Sequence, residues 1–429
     1  MLKELLKTLC PLRLGVVTPD TDKFVSLVSK ELPFEVHEYQ SGREHNGWVI
    51  PQNWHPLKAE LRKDGKVIYN GLSTLQGVIS MSQSFNGKVG LEELKKHLFY
   101  KADVPDAVVY HCDLYYKAGH KDWGLCVPYN FYQSLTLGEY EVDIQTVHSA
   151  GTMKVCDYFL PGKSKETIVL NAHNCHTGQA NDDISGVVVG IEVMKRLAKR
   201  KNNYSYRLII APEHFGTVFY LADLPKSAVR SFNCGIFLEM LGNQNRLAFQ
   251  ETFTGKSELD QAAHHYLKHS HPDYFSDKFR KIVGNDETVW EAPGYEVPFI
   301  SLSRWPYPEY HTNLDNEDII SEDMLQDSVN AVMGIIDIME NNHRMKRKFD
   351  GLIALSNPKY NLYISTVDPS LPVKITSEQK KWNYLMDCLP RYFDEKTTIL
   401  EIAIKHELPF NELFAYIDKF REKGLMEFV

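Results

Sequence analysis

Between about residues 165 and 345, short apolar runs alternate with helix-like patterns, and this alternation constrains the fold more than any other feature of the chain. The apolar runs include TIVLNAH, YRLIIAPE and CGIFLEMLG, and stretches such as SGVVVGIEVMKRLAKR lie between them. The alternation predicts an α/β domain with a mostly parallel sheet flanked by helices. Ligands bind beyond the carboxyl ends of such strands, so the polar residues directly after each run are the functional candidates.

Two regions depart from this pattern. Residues 46–114 are aromatic and turn-rich, and their KDG and NG sequences predict β-hairpins. We interpret them as a small β-rich lid inserted into the main domain, which then comprises residues 1–45 and 115–350. Residues 368–429 carry three helix-like patterns and the apolar end LMEFV, which predict a C-terminal winged-helix domain.

The charge and the cysteine content of the chain limit its possible cellular location and binding partners. The net charge is −8 and the pI is about 6.1, so no overall field attracts nucleic acid or anionic membranes. The sequence contains no run of about 18 consecutive apolar residues, so it predicts no membrane-spanning helix. Charged residues interrupt the opening MLKELLKTLC, which argues against a secretory signal. Seven cysteines without a CxxC pair suit reduced thiols, so we expect a cytoplasmic protein.

The predicted winged-helix domain lacks the positive charge that is typical of a DNA-binding domain. From Lys374 to the end there are nine Lys and Arg against ten Asp and Glu, a net charge near −1. The candidate recognition helix offers Glu412 and Asp418 where basic side chains are expected. We therefore expect a protein partner or self-association through this domain, and no nucleic acid.

The first polar cluster is NAHNCHTGQANDDISG, in which a strand run ends at His173 and a loop leads to Asp182 before a helix. Imidazole and carboxylate groups are zinc ligands, and a strand-end His and an Asp at a helix start can converge on one ion. A polar loop, with Asp182 as a simple helix cap, is the alternative.

Three further clusters follow later strand runs. Glu213 and His214 follow a buried run directly in IIAPEHFG, and Glu239 lies within the apolar run GIFLEMLG. Buried ionisable groups need a partner, which a metal ion or a salt bridge would supply. His311 lies in WPYPEYHTNLDNED, and Asp315 is a candidate hydrogen-bond partner that fixes its tautomer.

Together these clusters resemble the co-catalytic zinc aminopeptidases over about residues 115–345. HNCHTGQANDDISG, KDWGLCVP, GNDETVWEAPGYEVPFISLSR and YPEYHTNLDN extend the resemblance to bacterial aminopeptidase-like proteins that have an inserted β-rich lid and a C-terminal winged helix. That family is often linked to polysaccharide biosynthesis. The resemblance implies a zinc metallohydrolase that cleaves amide bonds, with a peptide or a small amide-containing molecule as substrate.

The resemblance also implies a role for each matching residue. Asp182 would bridge two ions, with Glu213 as general base and Tyr310 as a donor to the developing oxyanion. The remaining ligands would be His173 and Glu239 on one ion, and His214 and His311 on the other.

Because of three departures from the family pattern, the number of zinc ions bound, one or two, stays open. His214 replaces a glutamate, Glu239 replaces an aspartate, and Cys175 replaces the aspartate that orients the first histidine. Whether His176 binds in place of His173 also stays open, as does any part for Cys175.

Substrate contacts and the reaction itself have alternatives. An acidic pair, Asp286 and Glu287, is a candidate for binding a substrate amine, and Arg304 for binding a carboxylate or phosphate. For all three, a structural salt bridge is the alternative. The rival functions are related amide chemistry on an amino sugar or an N-terminal residue, and a non-catalytic binding scaffold in polysaccharide biosynthesis.

Overall fold

A computed structural model describes residues 1–364 and 376–429. The first residues of the predicted winged-helix domain, 368–375, lie outside the described residues. Within the described residues, none of the helices combines the length and apolar character needed to cross a membrane. All seven cysteines are free thiols.

The described residues form two compact units. The first contains Met1–Gly255 and Phe275–Asn330, and the second contains Lys256–Tyr274 and Ala331–Val429. The helices are α1 (Leu2–Leu9), α2 (Thr21–Val28), α3 (Leu91–Lys96), α4 (Tyr129–Ser134), α5 (Gly186–Leu197), α6 (Phe215–Asp223), α7 (Lys226–Val229), α8 (Glu258–Ser270), α9 (Glu287–Trp290), α10 (Glu322–Asn341), α11 (Ser377–Cys388), α12 (Ile399–His406) and α13 (Phe410–Glu422).

The strands fall into one large sheet and several smaller ones. They are β1 (Glu35–Gln40), β2 (Glu44–His45), β3 (Trp48–Val49), β4 (Asn53–Lys63), β5 (Lys66–Asn70), β6 (Phe85–Gly90), β7 (Leu98–Phe99), β8 (Leu125–Cys126), β9 (Glu139–Ser149), β10 (Thr152–Leu160), β11 (Thr167–His173), β12 (Ser205–Ala211), β13 (Phe232–Leu238), β14 (Leu247–Gln250), β15 (Phe275–Asp277), β16 (Phe299–Arg304), β17 (Arg344–Arg347), β18 (Asp394–Thr398) and β19 (Met426–Phe428).

The large sheet of the first unit has the strand order β1-β10-β12-β11-β13-β16-β14-β15. Its four central strands, β12, β11, β13 and β16, run parallel. Every residue of β11 is buried, as expected for a strand covered on both faces. The predicted α/β fold with a mostly parallel sheet is therefore confirmed.

Helix α5 follows β11 and packs closely on the sheet. A Cβ atom at Gly190 would lie 2.8 Å from the Leu208 side chain and 3.2 Å from that of Leu238. A larger residue there would push the helix away from β12 and β13. The close approach keeps the polar loop before α5 against the carboxyl ends of the strands.

A second, antiparallel sheet of the first unit has the order β5-β4-β9-β6. The KDG sequence forms the predicted hairpin, because Asp64 and Gly65 both have positive φ in the two-residue turn between β4 and β5. Trp54 and Trp123 are buried in the core of this sheet. The sheet includes β9, which lies beyond residues 46–114, and the boundaries of the lid stay a prediction.

The second unit combines helices with the small antiparallel sheet β18-β17-β19. Capping boxes begin three of its helices, where Ser257, Thr376 and Thr398 each accept the backbone N–H three residues later. Helices α11, α12 and α13 and the terminal strand β19 coincide with the patterns seen in the sequence. The winged-helix assignment itself stays a prediction.

Candidate metal centre

The predicted functional residues lie at one edge of the large sheet, because the central strands are parallel. Strand β11 ends at His173, and β13 ends directly before Glu239. Glu213 lies two residues beyond β12, and His311 lies in the loop after β16. Carboxyl ends of parallel strands meet at the same edge of a sheet, so residues far apart in sequence come together.

Two groups of possible metal ligands share Asp182. The first is His173, Asp182 and Glu239, and the second is His176, Asp182 and His311; within each group the ligand atoms lie within 4.8 Å of one another. Asp182 Oδ1 lies 2.9 Å from His173 Nε2. Asp182 Oδ2 lies 3.1 Å from both His176 Nδ1 and His311 Nε2. One carboxylate therefore faces two separate sets of ligands.

The donor atoms of both groups fit a cation. Within the described part of the chain, the buried nitrogen and oxygen atoms that converge here have no hydrogen-bond partner, although they are close in distance; they are His173 Nε2, His176 Nδ1, Asp182 Oδ1 and Oδ2, Glu239 Oε2 and His311 Nε2. Buried polar atoms are nearly always satisfied, so such a concentration indicates a ligand. Imidazole and carboxylate donors are those of zinc sites.

The pKa values of the Asp182 and Glu239 carboxylates shift in opposite directions in this environment. Burial opposes ionisation of Asp182, but the three surrounding histidines outweigh it and hold the pKa of Asp182 well below its usual value. Burial, together with the charge of Asp182, raises the pKa of Glu239 well above its usual value. A cation bound to Glu239 would reverse that balance.

Asp315 supports Asp182 through the backbone. Its carboxylate accepts the N–H groups of Asn181 (2.6 Å) and Asp182 (3.1 Å) and the hydroxyl of Tyr307 (2.8 Å). The expectation that Asp315 fixes the imidazole of His311 is therefore not met, because its carboxylate accepts from the loop that carries Asp182 and from Tyr307. Burial and the charge of Asp182 raise the pKa of Asp315 to about 7.

Asp183, which the sequence reasoning left without a role, links two of the strand ends. It accepts the backbone N–H of His173 at 3.1 Å, of Met240 at 3.1 Å and of Gly186 at 2.9 Å. This carboxylate fixes the backbone beside His173 and beside Glu239. The doubled acidic residue in NDDISG was the available signal, because one of two adjacent side chains can face the ligands while the other faces the backbone.

Glu213 lies next to the second group. Its Oε2 lies 3.0 Å from His176 Nε2, and its Oε1 lies 3.5 Å from His214 Nδ1. Burial opposes ionisation, but the hydrogen bond with His176 and the charges of the nearby histidines lower the pKa of Glu213 to about 2. His176 thus lies between Asp182 on one side of its ring and Glu213 on the other.

His214 does not join either group. Its φ of +57° and ψ of −57°, together with the Phe215 N–H donating to Glu213 O at 2.6 Å, define a strained γ-turn. The His214 ring stacks on Trp48, with the ring centroids 5.7 Å apart. The structure therefore places His176, and not His214, beside Asp182 and His311. Burial lowers the pKa of His214.

The loop that carries His311 is held by the segment Val108–Tyr110. The backbone N–H of Tyr110 donates to His311 O at 2.8 Å, and that of Val108 donates to Asn313 Oδ1 at 2.7 Å. The ring of Tyr310 stacks on that of His311 at 3.9 Å. Burial and the charges of nearby carboxylates raise the pKa of Tyr310 well above its usual value, so its hydroxyl keeps its proton.

Asp286 and Glu287, proposed as an amine-binding pair, are buried and already hydrogen-bonded. Asp286 accepts the His214 backbone N–H at 2.5 Å and the Thr217 hydroxyl at 2.9 Å. Glu287 accepts the Asn285 N–H at 2.9 Å and the side-chain amide of Gln250 at 3.1 Å. Burial raises the pKa of Asp286 to about 8 and that of Glu287 to about 7. Their oxygens bind neighbouring segments, which corrects the substrate-binding role given to them.

Arg304 is also a structural residue. Only 3% of it is exposed, and its guanidinium pairs with Asp327 and donates to Ser328 Oγ (3.0 Å) and to Asn245 O (2.8 Å). Its donors are directed into the protein, so the expected contact with a substrate anion has no basis in this geometry. The structural salt bridge, which was the alternative, is what the structure contains.

Comparison with known proteins agrees with this fold. A curated relative from Clostridium acetobutylicum, named as a polysaccharide biosynthesis protein with an aminopeptidase-like domain, is 27% identical over 430 residues, covering 99% of this chain and 96% of the relative. A crystal structure described as a peptidase from the same organism has a TM-score of 0.84 and 25% identity, covering 100% of this chain and 96% of that chain.

The predicted resemblance to zinc aminopeptidases is confirmed at the level of the fold. A zinc aminopeptidase from Bacillus subtilis matches with a TM-score of 0.55 and 14% identity, covering 78% of this chain and 93% of that chain. A family model described as a domain of unknown function, DUF4910, matches residues 3–342. That match spans most of the sequence, and the chain belongs to the DUF4910 family.

Proposed function

We propose that this chain is a two-zinc hydrolase of amide bonds, of the aminopeptidase type. One observation carries the proposal: two groups of buried ligand atoms share Asp182 and have no hydrogen-bond partners within the described residues. His173 and Glu239 would hold one ion, and His176 and His311 the other. This replaces His214, expected from the family pattern, with His176.

These ligands would hold zinc, which would supply a water molecule of pKa lowered from about 16 toward 7 and would polarise the carbonyl of the amide. The protein's part is to position the ligands and to exclude water from them. Asp315 accepts the backbone N–H of Asp182, and Asp183 accepts that of His173, so the loop that carries the shared carboxylate is fixed by two other carboxylates. Such support orients metal ligands.

Glu213 is the general base in this proposal. Its Oε2 accepts a hydrogen bond from His176 Nε2, which presents Nδ1 of the same ring to Asp182. Its Oε1 is then available to take a proton from the attacking water and to pass it to the leaving amine. A pKa of about 2 keeps the Glu213 carboxylate ionised throughout the neutral range. It also makes this carboxylate a weak base, so proton transfer to it would require the acidity that bound zinc would give the water.

Tyr310 is the candidate donor to the oxyanion. Its ring stacks on that of His311, which belongs to the second ligand group, and burial with the charges of nearby carboxylates raises its pKa and so keeps the hydroxyl protonated. A protonated hydroxyl there can stabilise the charge that develops on the carbonyl oxygen during attack. The names of the relatives support this class of reaction: one is a zinc aminopeptidase, and another carries an aminopeptidase-like domain.

The test is the metal content of the purified protein, with two histidines compared as a matched pair. We expect about two zinc ions per chain in the wild type, about one in His176→Ala and about two in His214→Ala, because only His176 belongs to a ligand group. Elemental mass spectrometry after dialysis against metal-free buffer gives the counts.

Other outcomes separate the rival functions. Loss of zinc in His214→Ala but not in His176→Ala would restore the ligand set of the family pattern. Failure of the wild type to bind zinc even after reconstitution would favour a non-catalytic scaffold. A protein that retains two ions should hydrolyse aminoacyl anilides, and turnover only on an acetylated amino sugar would favour the amino-sugar alternative.

A further inference from the structure

A third group of possible metal ligands overlaps the two that share Asp182. It consists of His173, Cys175 and His176, whose ligand atoms also lie within 4.8 Å of one another. All three residues are buried. His173 Nδ1 and Nε2 and His176 Nδ1 have no hydrogen-bond partner in the described part of the chain. The group therefore offers one sulfur and imidazole nitrogens without a partner on two rings, while His176 Nε2 stays hydrogen-bonded to Glu213 Oε2.

The position of Cys175 is fixed by its neighbours. The backbone N–H of Glu213 donates to Cys175 Sγ at 3.2 Å, and the Tyr110 hydroxyl donates to Cys175 O at 3.2 Å. The sulfur is thus held from the strand end after β12 and the backbone from the segment Val108–Tyr110. With these two contacts in place, the Cys175 sulfur lies within 4.8 Å of a ligand nitrogen on each of the two imidazoles.

We propose that His173, Cys175 and His176 form a second site that binds a single thiophilic ion, such as Cd²⁺, and that this site excludes the two-zinc arrangement. The inference rests on the proposed function, because the two sites share His173 and His176. An ion that takes the nitrogens facing Asp182, His173 Nε2 and His176 Nδ1, withdraws one ligand from each of the two zinc positions. One soft ion would therefore displace two zinc ions.

The chemistry of the ligands favours this exchange. Thiolates select soft ions, whereas the carboxylates of Asp182 and Glu239 suit harder ones. The family pattern has an aspartate at position 175 that orients the first histidine, whereas the cysteine here gives the same loop a sulfur that favours a different class of metal. The loop would then act as a sensor of thiophilic ions, and binding would switch hydrolysis off.

Addition of Cd²⁺ alone to the zinc-loaded protein tests the proposal. We expect the ultraviolet charge-transfer absorption of a cadmium–thiolate bond to appear, with release of two zinc ions for each cadmium bound. Cys175→Ser should abolish the absorption and weaken cadmium binding at least tenfold. Cys112→Ser, which alters a nearby thiol outside the group, should keep the absorption, as should His311→Ala, which affects only a zinc position.

The outcomes distinguish this inference from the proposed function. A wild type that binds zinc but shows no cadmium–thiolate absorption overturns the overlapping site and leaves the zinc hydrolase intact. Absorption that persists in Cys175→Ser also overturns it. A wild type that binds no zinc, yet shows the absorption and loses it in Cys175→Ser, supports the sulfur site while the proposed function fails. Circular dichroism of each variant checks that the fold is retained.

Discussion

Two neighbouring strand ends of the large sheet carry similar residues and use them differently. After β11 the chain places His173 and His176 beside Asp182, and both belong to ligand groups. After β12 it places Glu213 and His214, and neither belongs to a ligand group. Residue type is comparable at the two ends, so it does not decide which side chain can bind a metal.

The difference lies in the backbone and its supports. Asp183 accepts the His173 N–H, so the strand runs straight into the ligand loop. At the other end, the γ-turn at His214 reverses the chain, and Asp286 accepts the His214 N–H. The imidazole then stacks on Trp48 instead of facing the ligands. A buried aspartate fixes each strand end, but in different directions.

The largest expected effect tests the β12 end. Glu213→Gln should lower amide hydrolysis by about 10²–10⁴-fold, because the amide still accepts a hydrogen bond from His176 but cannot take a proton. Zinc content should stay unchanged. The measurement is the steady-state rate on an aminoacyl anilide, with His214→Gln as the matched control. Equal losses in both variants would mean that the two residues at this strand end act together.

The next prediction compares the two supporting aspartates. Asp315→Asn should weaken zinc binding by about 10–100-fold, because the amide cannot accept from both Asn181 and Asp182 while also accepting from Tyr307. Asp286 accepts from the His214 turn and from Thr217 and contacts none of the proposed zinc ligands, so Asp286→Asn should leave zinc affinity unchanged. Competition with a chromophoric chelator measures both, and a loss in Asp286→Asn would contradict the distinction between the strand ends.

Asp286 should also make stability depend on pH. Its folded-state pKa of about 8 is above the ordinary value of 3.8, so its contribution is full below pH 3.8 and is lost as pH rises toward 8. Asp286→Asn removes this loss. Relative to the wild type, the variant should gain about 4 kcal/mol in free energy of unfolding between pH 5 and pH 8, measured by urea titration. A constant difference across that range would show that Asp286 is ionised throughout.

The smallest effect concerns the stacking of His214. Trp48→Leu should reduce the free energy of unfolding by about 1 kcal/mol, since an aromatic pair is lost while apolar surface is kept. Zinc content should not change, because the His214 ring does not contribute a ligand. If Trp48→Leu instead altered zinc binding, His214 would be free to reach the ligands once its stacking partner is removed.

Much of the site follows from the sequence, because strand ends can be read from apolar runs. The runs ending at His173, before Glu213 and before Glu239 predict a parallel sheet and residues gathered at its edge, as the structure shows. The choice of His176 over His214 does not follow from the sequence. It depends on a turn with positive φ and on Trp48, which lies about 165 residues before it in the chain.

The errors over the substrate residues have a related cause. The motifs that carry the family resemblance contain three further polar residues, Asp286, Glu287 and Arg304. A polar residue in such a motif can bind a substrate or stabilise the structure, and the sequence does not distinguish the two roles. Their partners come from other segments: Asp286 binds the turn at His214, and Arg304 pairs with Asp327 on helix α10. Only the three-dimensional structure shows that these groups are already occupied.

The backbone pairing between Val108–Tyr110 and the loop of His311 has a further consequence. A metal ion that holds His311 also restrains the segment hydrogen-bonded to it, some 200 residues earlier in the chain. Local opening of that segment then has to break a metal bond as well as hydrogen bonds, so its opening free energy rises with occupancy. Amide exchange at Tyr110 therefore reports the loading of a centre to which Tyr110 contributes no ligand.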